Sequence, residues 1–513
     1  MNFDFIVLRN RFHFILFAGS ILWLSFYYDL DRIYQLPPYS VHLWRQTDGT
    51  SIALNYYQDG LPFFKPRMHN ILTTNGQSVG EFPVLYYIAG LSYRLFGVNE
   101  GYFRLLSLSI LVAGIYSFFL TLRRYSGNLF FALPAGLLLY LSPLNVFYGF
   151  NFLPDAPALG LTLLGWYYFF RYFDTAKRSF FLAGIAFFLL AGLIKVTMLT
   201  SFVAFICLYL LIQAKILRKE ENLTFHHKGM ILPGIAIILL AVTGWYWWAH
   251  HYNTIHSSYL LMDIKPIWEL DRQNVIDIYD RIVNKWYFSY FHISILCFLA
   301  ISFITSWMIR KLVEPFFKWF LFLITAGVTA NAVLWFGQLY HHDYYVITWM
   351  ILPAAILLCL SRWIANTKFK WIPGSISFLL FLIVIQNAIH CKSVLDYRYD
   401  PKSVYNVSQN QAYFKTKALQ VYIRSIGIQP EDKVISLPDT SPNPSLYLMN
   451  LRGHTKYDYT TPYTHQRIDS LVQKGFKYLI IGDSLLLNDT KISSALSHPI
   501  GVFDNAIYFF RIQ

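Results

Sequence analysis

Apolar positions along the chain gather into long blocks separated by short polar stretches. About eleven of these blocks are long enough to cross a bilayer core of roughly 30 Å as α-helices. They cover residues 11–28, 103–122, 128–147, 155–171, 179–197, 199–214, 230–249, 287–308, 315–336, 344–362 and 371–389. A further apolar stretch, 82–97, is short for a span and carries Pro83 and Arg94, so it is expected to lie as a helix on the membrane surface. The first block is followed by Asp29-Leu30-Asp31-Arg32 and by no small-residue cleavage site, which reads as an uncleaved first span.

Past residue 390 the pattern changes. Helix-like runs (Gln411–Ile426, Thr464–Lys474) alternate with short β-like runs (Val434–Leu437, Tyr478–Ile481, Ile507–Arg511), punctuated by Pro, Asn and Asp. Asp439 and Asp483 follow two of these runs and read as turn residues. The expected architecture is mainly α, a polytopic membrane domain over 1–390 followed by a small soluble α/β domain over 391–513.

Charge fixes the expected orientation. With the N-terminus inside, the inner loops carry Arg123-Arg124, Arg171 with Lys177-Arg178, Lys215 with Arg218-Lys219 and Lys228, Arg310-Lys311, and Arg362 with Lys368 and Lys370. The short outer turn Gly337–Asp343 has no Lys or Arg. This positive-inside pattern fails if 82–97 is made a full span. Segments 29–102 and 250–286 and the tail then lie outside. The N-terminus is expected to be cytoplasmic and the C-terminal domain extracytoplasmic.

Composition agrees with that reading. The 513 residues are 56% hydrophobic and 14% charged, and 19% are aromatic. Soluble domains are about 45–50% apolar and about 25% charged. The net charge of +14 sits mostly in the short loops that topology requires, so nucleic acid is not an expected partner and membrane lipid is. Cys207, Cys297, Cys359 and Cys391 have no paired spacing, and neither a disulfide framework nor a thiol metal site follows.

The topology brings chemistry to one face. Asp48, Arg104, Asp155, Lys195 and His341-His342-Asp343 come from distant parts of the chain, yet all fall at outer ends of spans or in the first outer loop. Ionisable groups at such places are costly and point to function. Each also has a structural reading: Arg104 and Lys195 as snorkelling cations, Asp155 as a helix cap after Pro154, the His-His-Asp run as a polar turn, and Asp48 as a cap. Taken as a set, carboxylates suit a general base acting on a hydroxyl, and Arg and Lys suit a departing phosphate. A divalent ion shared by Asp48 and Asp155 is chemically possible, but the basic surroundings disfavour it. The chain has no GxxxxGK[ST] loop, no GxSxG elbow and no HExxH.

Several stretches resemble the GT-C glycosyltransferases of the protein mannosyltransferase and aminoarabinose transferase type. Leu43-Trp44-Arg45-Gln46-Thr47-Asp48, with Ile52–Tyr57 and Gly60, is similar to the first outer loop of a bacterial branch of that family. Glu81–Tyr87, ending at Leu95-Phe96-Gly97, resembles its surface helix. Phe103-Arg104-Leu105, Leu153-Pro154-Asp155-Ala156-Pro157, Leu193-Ile194-Lys195 and His342-Asp343-Tyr344-Tyr345 resemble its later motifs in order. Two positions depart: Arg45-Gln46 stands where many members carry an acidic pair, and Phe82 stands where aminoarabinose transferases carry a lysine. The second departure argues against that particular substrate class.

The resemblance implies a GT-C fold and an enzyme that moves a sugar from a polyprenyl phosphate to a hydroxyl of a lipid, glycan or protein acceptor, with inversion. It implies Asp48 as the base and Asp155 as orienting the acceptor or supporting Arg104. Arg104 and Lys195, with His341 or His342, would bind the donor phosphate. Trp44, Arg45, Gln46, Asp343 and Tyr344 would position substrate, and no metal or other cofactor is implied. Three rival functions stay open from sequence: a ligase or polymerase using a lipid diphosphate, a transporter of lipid-linked glycans, and a non-enzymatic assembly scaffold with the tail as its working part.

Overall fold

The computed structural model describes residues 3–71, 74–217, 225–258, 260, 264–309, 312–457 and 463–513. The expected loop cations Arg218, Lys219, Arg310 and Lys311 lie outside these. The chain divides into two compact units. Residues 1–33, 104–246 and 263–397 form a membrane unit. Residues 34–103, 247–262 and 398–513 form the second, here called the tail unit.

The protein is an integral membrane protein, mostly helical, with a small C-terminal sheet. Among the described residues six helices are long and apolar enough to cross a membrane, or eight if two bent pairs each count as one span. Two shorter apolar helices, Arg11–Tyr27 and Arg178–Ile194, add to these. Every expected apolar block falls on helix, but two are not straight. Block 128–147 is the pair Leu129–Tyr140 and Pro143–Gly149, bent by 62°. Pro143 opens the second helix at a position where its missing N–H costs nothing, and Asn145 Nδ2 donates back to the Leu139 carbonyl (2.8 Å). Block 287–308 is bent by 97° between Tyr290 and Ile293. There Phe291 and His292 are extended, and the His292 ring caps the following helix by accepting from Ser294 N.

Packing inside the membrane unit relies on small residues. A Cβ on Gly114 would sit 2.3 Å from the Gly160 carbonyl oxygen, and one on Gly160 would sit 2.4 Å from that of Ile110. The helices Gly101–Ser126 and Asp155–Thr175 therefore meet backbone to backbone. Lipid tails are as apolar as Leu side chains, so such close contact, and not apolar burial, holds membrane helices together. The faces turned away stay apolar: Phe378, Leu379, Phe381 and Leu382 of the Trp371–Tyr399 helix are all largely exposed, as lipid-facing residues should be.

The tail unit contains a five-stranded sheet. Strands β1 (Lys433–Leu437), β2 (Arg452–Thr455), β3 (Phe476–Ile481), β4 (Pro499–Phe503) and β5 (Ile507–Arg511) stand in the order β2-β1-β3-β5-β4. β1 pairs parallel with β2 and β3; β5 runs antiparallel to β3 and β4. Helices Thr416–Ser425 and His465–Gln473 bury Leu419 and Ile423, and Ile468 and Leu471, in two apolar clusters shared with strand residues. The three expected strands are β1, β3 and β5. β2 and β4 were not anticipated. Asp439 and Asp483 are turn residues as read: Asp439 accepts from Ser441 N and Ser445 N (2.9 Å each), and Asp483 accepts from Leu485 N (3.0 Å).

The stretch expected to lie on the membrane surface is the helix Val84–Phe96. Its Gly90 lies on the Leu43–Gln58 helix, where a Cβ would come within 2.8 Å of the Ala53 carbonyl oxygen. Its opposite face leaves Leu95 and Phe96 exposed.

Candidate functional site

In the membrane unit the candidate residues are assembled by a helical hairpin. Asp155 opens the Asp155–Thr175 helix, Ala176 turns the chain in a left-handed conformation, and Arg178–Ile194 returns. Two arms of similar length bring Asp155 and Lys195 to the same end, and a buried ion pair joins them (Nζ–Oδ1 2.8 Å). Asp155 is 1% and Lys195 9% exposed. The ammonium also lies over the rings of Tyr345 (4.5 Å) and Tyr344 (5.5 Å), a cation held by a carboxylate and two aromatic faces. Arg171, Lys177 and Arg178 stand at the other end of the hairpin, about 24–27 Å away along the helices.

The His341-His342-Asp343 run joins the same cluster. His342 packs against Tyr344 and Tyr345 (centroids 5.2 and 5.8 Å). Asp343 accepts a hydrogen bond from the Tyr148 hydroxyl, and Thr348 shares a hydroxyl bond with Thr197 (2.9 Å), two residues past Lys195. His341 stacks edge-on with Tyr340 (4.6 Å). Arg104 is fully buried; its Nη1 donates to the Phe150 carbonyl (2.9 Å) and its guanidinium lies 4.3 Å from the Phe152 ring centroid.

The tail unit holds the rest. Asp48 lies in the middle of the Leu43–Gln58 helix, which buries every residue from Gln46 to Tyr56. Its Oδ1 accepts from Asn443 Nδ2 (2.7 Å), and the Asn443 Oδ1 accepts from Asn70 N (3.0 Å). Arg45 forms an ion pair with Glu81, whose other oxygen accepts from the Tyr86 hydroxyl (3.2 Å). Trp44 is 36% exposed and meets Tyr457 edge-on (5.0 Å). Gln46 is committed to the backbone: its amide nitrogen donates to the Tyr39 and Val41 carbonyls (2.7 and 2.8 Å) and its oxygen accepts from Tyr39 N (3.2 Å). It shapes the loop that leads into the helix.

Behind Asp48 on the same helix, His69 N donates to Ser51 Oγ (2.8 Å), and Ser51 Oγ in turn lies 2.7 Å from His69 Nδ1. Burial first, then the Arg452 charge, push the His69 pKa down to about 3. Tyr447, whose hydroxyl donates to Glu100 (3.0 Å), is pushed well above the usual tyrosine range by burial and then by the Glu100 charge.

Several of these partners escaped sequence reasoning. Asn443 sits in Ser441-Pro442-Asn443-Pro444, which reads only as a turn. Glu81 was within reach, being two residues before Pro83 at the start of the surface helix. Tyr148 and Phe152 lie in an apolar aromatic run with nothing to mark them. Arg281, whose guanidinium stacks on Tyr340 (3.9 Å) and donates to its carbonyl (3.2 Å), falls in a charged segment. Among the described residues no group of three His, Cys, Asp or Glu side chains is arranged to hold a metal ion.

This fold has known counterparts. ArnT from Cupriavidus metallidurans matches in its apo state (TM-score 0.59, 12% identity) and bound to undecaprenyl phosphate (TM-score 0.59, 14% identity), with 97% of each chain covered in both cases. The arabinofuranosyltransferase AftD from Mycobacteria also matches (TM-score 0.50, 12% identity), over 96% of this chain and 41% of that one. Residues 80–248 match the family described as dolichyl-phosphate-mannose-protein mannosyltransferase. No curated protein matches the chain. The chain thus shares its fold with these solved structures, and only its segment 80–248 matches the mannosyltransferase family model.

Proposed function

We propose that the protein transfers a sugar from a polyprenyl-phosphate donor to a hydroxyl acceptor. One observation carries the reading: a buried lysine, held by Asp155 and two tyrosine faces, in a fold that matches over 97% of its length one captured with undecaprenyl phosphate. A lysine so placed suits a lipid phosphate, because its stem is fixed and its ammonium presents a point charge to phosphate oxygens.

In the proposed reaction the acceptor oxygen attacks the anomeric carbon as the bond from that carbon to the phosphate oxygen breaks, and the configuration inverts. The hydroxyl proton passes to Asp48, and the new negative charge stays on the lipid phosphate. Lys195 and Arg104 stabilise that charge, with His341 or His342 beside them. Asp155 fixes the lysine. Asn443 fixes the Asp48 carboxylate. Trp44, Arg45, Asp343 and Tyr344 are assigned to substrate positioning. The proposed setting is a bacterial inner membrane with the reaction on its outer face, supported by the basic inner loops.

The test is transfer of radiolabelled sugar from a synthetic polyprenyl-phosphate donor by the purified protein, with membrane extract supplying acceptors, beside Asp48→Asn. Release of lipid phosphate by the wild type alone is expected. No release across a donor panel would overturn the reading in favour of a ligase using a lipid diphosphate.

A further inference from the structure

We infer that the membrane unit carries a second lipid site, at the end opposite Asp155 and Lys195, that takes the phosphate headgroup of an anionic phospholipid. A cavity of about 670 Å³ opens between the first helix and the helices Gly101–Ser126 and Asp155–Thr175. Arg123, Arg124 and Arg171 line it, with His13, and Tyr116, Leu120 and Tyr167 continue its wall toward the apolar part of the same helices. Arg171 is 16 residues from Asp155 on one helix, which puts the cavity about 24 Å from the Lys195–Asp155 pair.

Its chemistry is that of an anion site. Three guanidiniums converge there, and among the described residues the carboxylate of Asp174 stands close by, paired with Arg124 (2.5 Å) and accepting from the Tyr125 hydroxyl (3.3 Å). Arg171 stacks on Phe180 (5.1 Å), and its buried Nε has no hydrogen-bond partner among the described residues. A buried guanidinium N–H without an acceptor is costly and calls for one. The wall decides between a soluble anion and a lipid. Free phosphate needs no aromatic and aliphatic surface beside its donors, whereas a phospholipid places its glycerol and first methylenes there. Basic pockets between spans bind phospholipid headgroups on this principle.

The test is native mass spectrometry of the full chain, reconstituted in nanodiscs of equal phosphatidylglycerol and phosphatidylcholine. The wild type should release from the membrane with phosphatidylglycerol bound in clear excess. Arg123→Gln with Arg171→Gln should lower that retention by roughly fivefold for each arginine. Leu120→Trp, which fills the cavity and leaves every charge in place, should lower it as well, with the melting temperature in detergent unchanged. Equal retention of the two lipids, or unchanged retention in both variants, would overturn the proposal. Displacement of the lipid by millimolar inorganic phosphate would make the site one for a free anion and overturn it too. None of these readouts depends on sugar transfer.

Discussion

The two candidate carboxylates are held in opposite ways. Asp155 is paired with a cation supplied by the next helix of its own hairpin, 40 positions along the chain. Asp48 accepts from a neutral amide supplied by Asn443, 395 positions away. One arrangement follows from helix length alone. The other requires the C-terminal fold to be complete, because Asn443 stands just before the Pro444–Met449 helix between β1 and β2. The membrane half of the candidate chemistry is thus built locally, and the tail half is built by long-range assembly.

The largest expected effect falls on Asp48. Asp48→Asn keeps an oxygen for Asn443 to donate to but removes the proposed base, so transfer should fall by roughly 10³-fold, the middle of the range a general base supplies. The purified variant should keep its melting temperature. Full activity would end the role of Asp48.

Lys195→Ala should act on stability as well as on transfer. Breaking a buried ion pair from one side typically costs about 3–5 kcal/mol. Combining it with Asp155→Asn should recover much of the thermal stability in detergent while transfer stays lost. Recovery of both would reduce the pair to a structural tie.

His69 tests the tail half through pH. Its pKa is depressed in the folded state, so the unfolded chain takes up a proton first as pH falls. The stability that depends on neutral His69 is whole above about 6.5 and drains as pH drops toward 3. At pH 5 the loss amounts to about 2 kcal/mol. Unfolding curves of His69→Gln and wild type should therefore converge as pH falls from 7 to 5, and parallel curves would contradict the assignment.

Asn443→Ala is the gentlest of these changes and the sharpest for the comparison. It should lower kcat by about tenfold with little change in KM for the donor, since a misplaced catalytic group mostly affects the reacting step. An Asn443→Asp variant should be worse than the alanine, by placing a second carboxylate beside Asp48.

What could be read in advance follows the same division. The hairpin was legible because two runs of about 20 residues must return the chain to the same face. The bends at Ser142 and at Phe291-His292 were not, because a hydropathy window averages across a break of two residues. β1, β3 and β5 showed as β-branched and aromatic runs. β2 is Arg-Gly-His-Thr, where Gly453 presses on the backbone of Val434, a contact that no local pattern reveals. β4 begins at a proline and is half exposed. The Gln46 side chain bonds to the backbone of the loop before its helix, an anchoring that its neighbours in sequence do not announce.

The glycine contact between Gly114 and Gly160 has a mechanical meaning. It works as a fulcrum. On one side lie Arg104, about 15 Å along its helix, and Asp155, about 7 Å along the other. On the other side, ten and eleven residues on, Arg124 and Arg171 meet again in the basic cavity. The two helices form a pair of crossed levers. A change of about 5° in the crossing angle moves the arginine ends by a little over 1 Å relative to one another, and Arg104 and Asp155 in proportion to their shorter or equal arms.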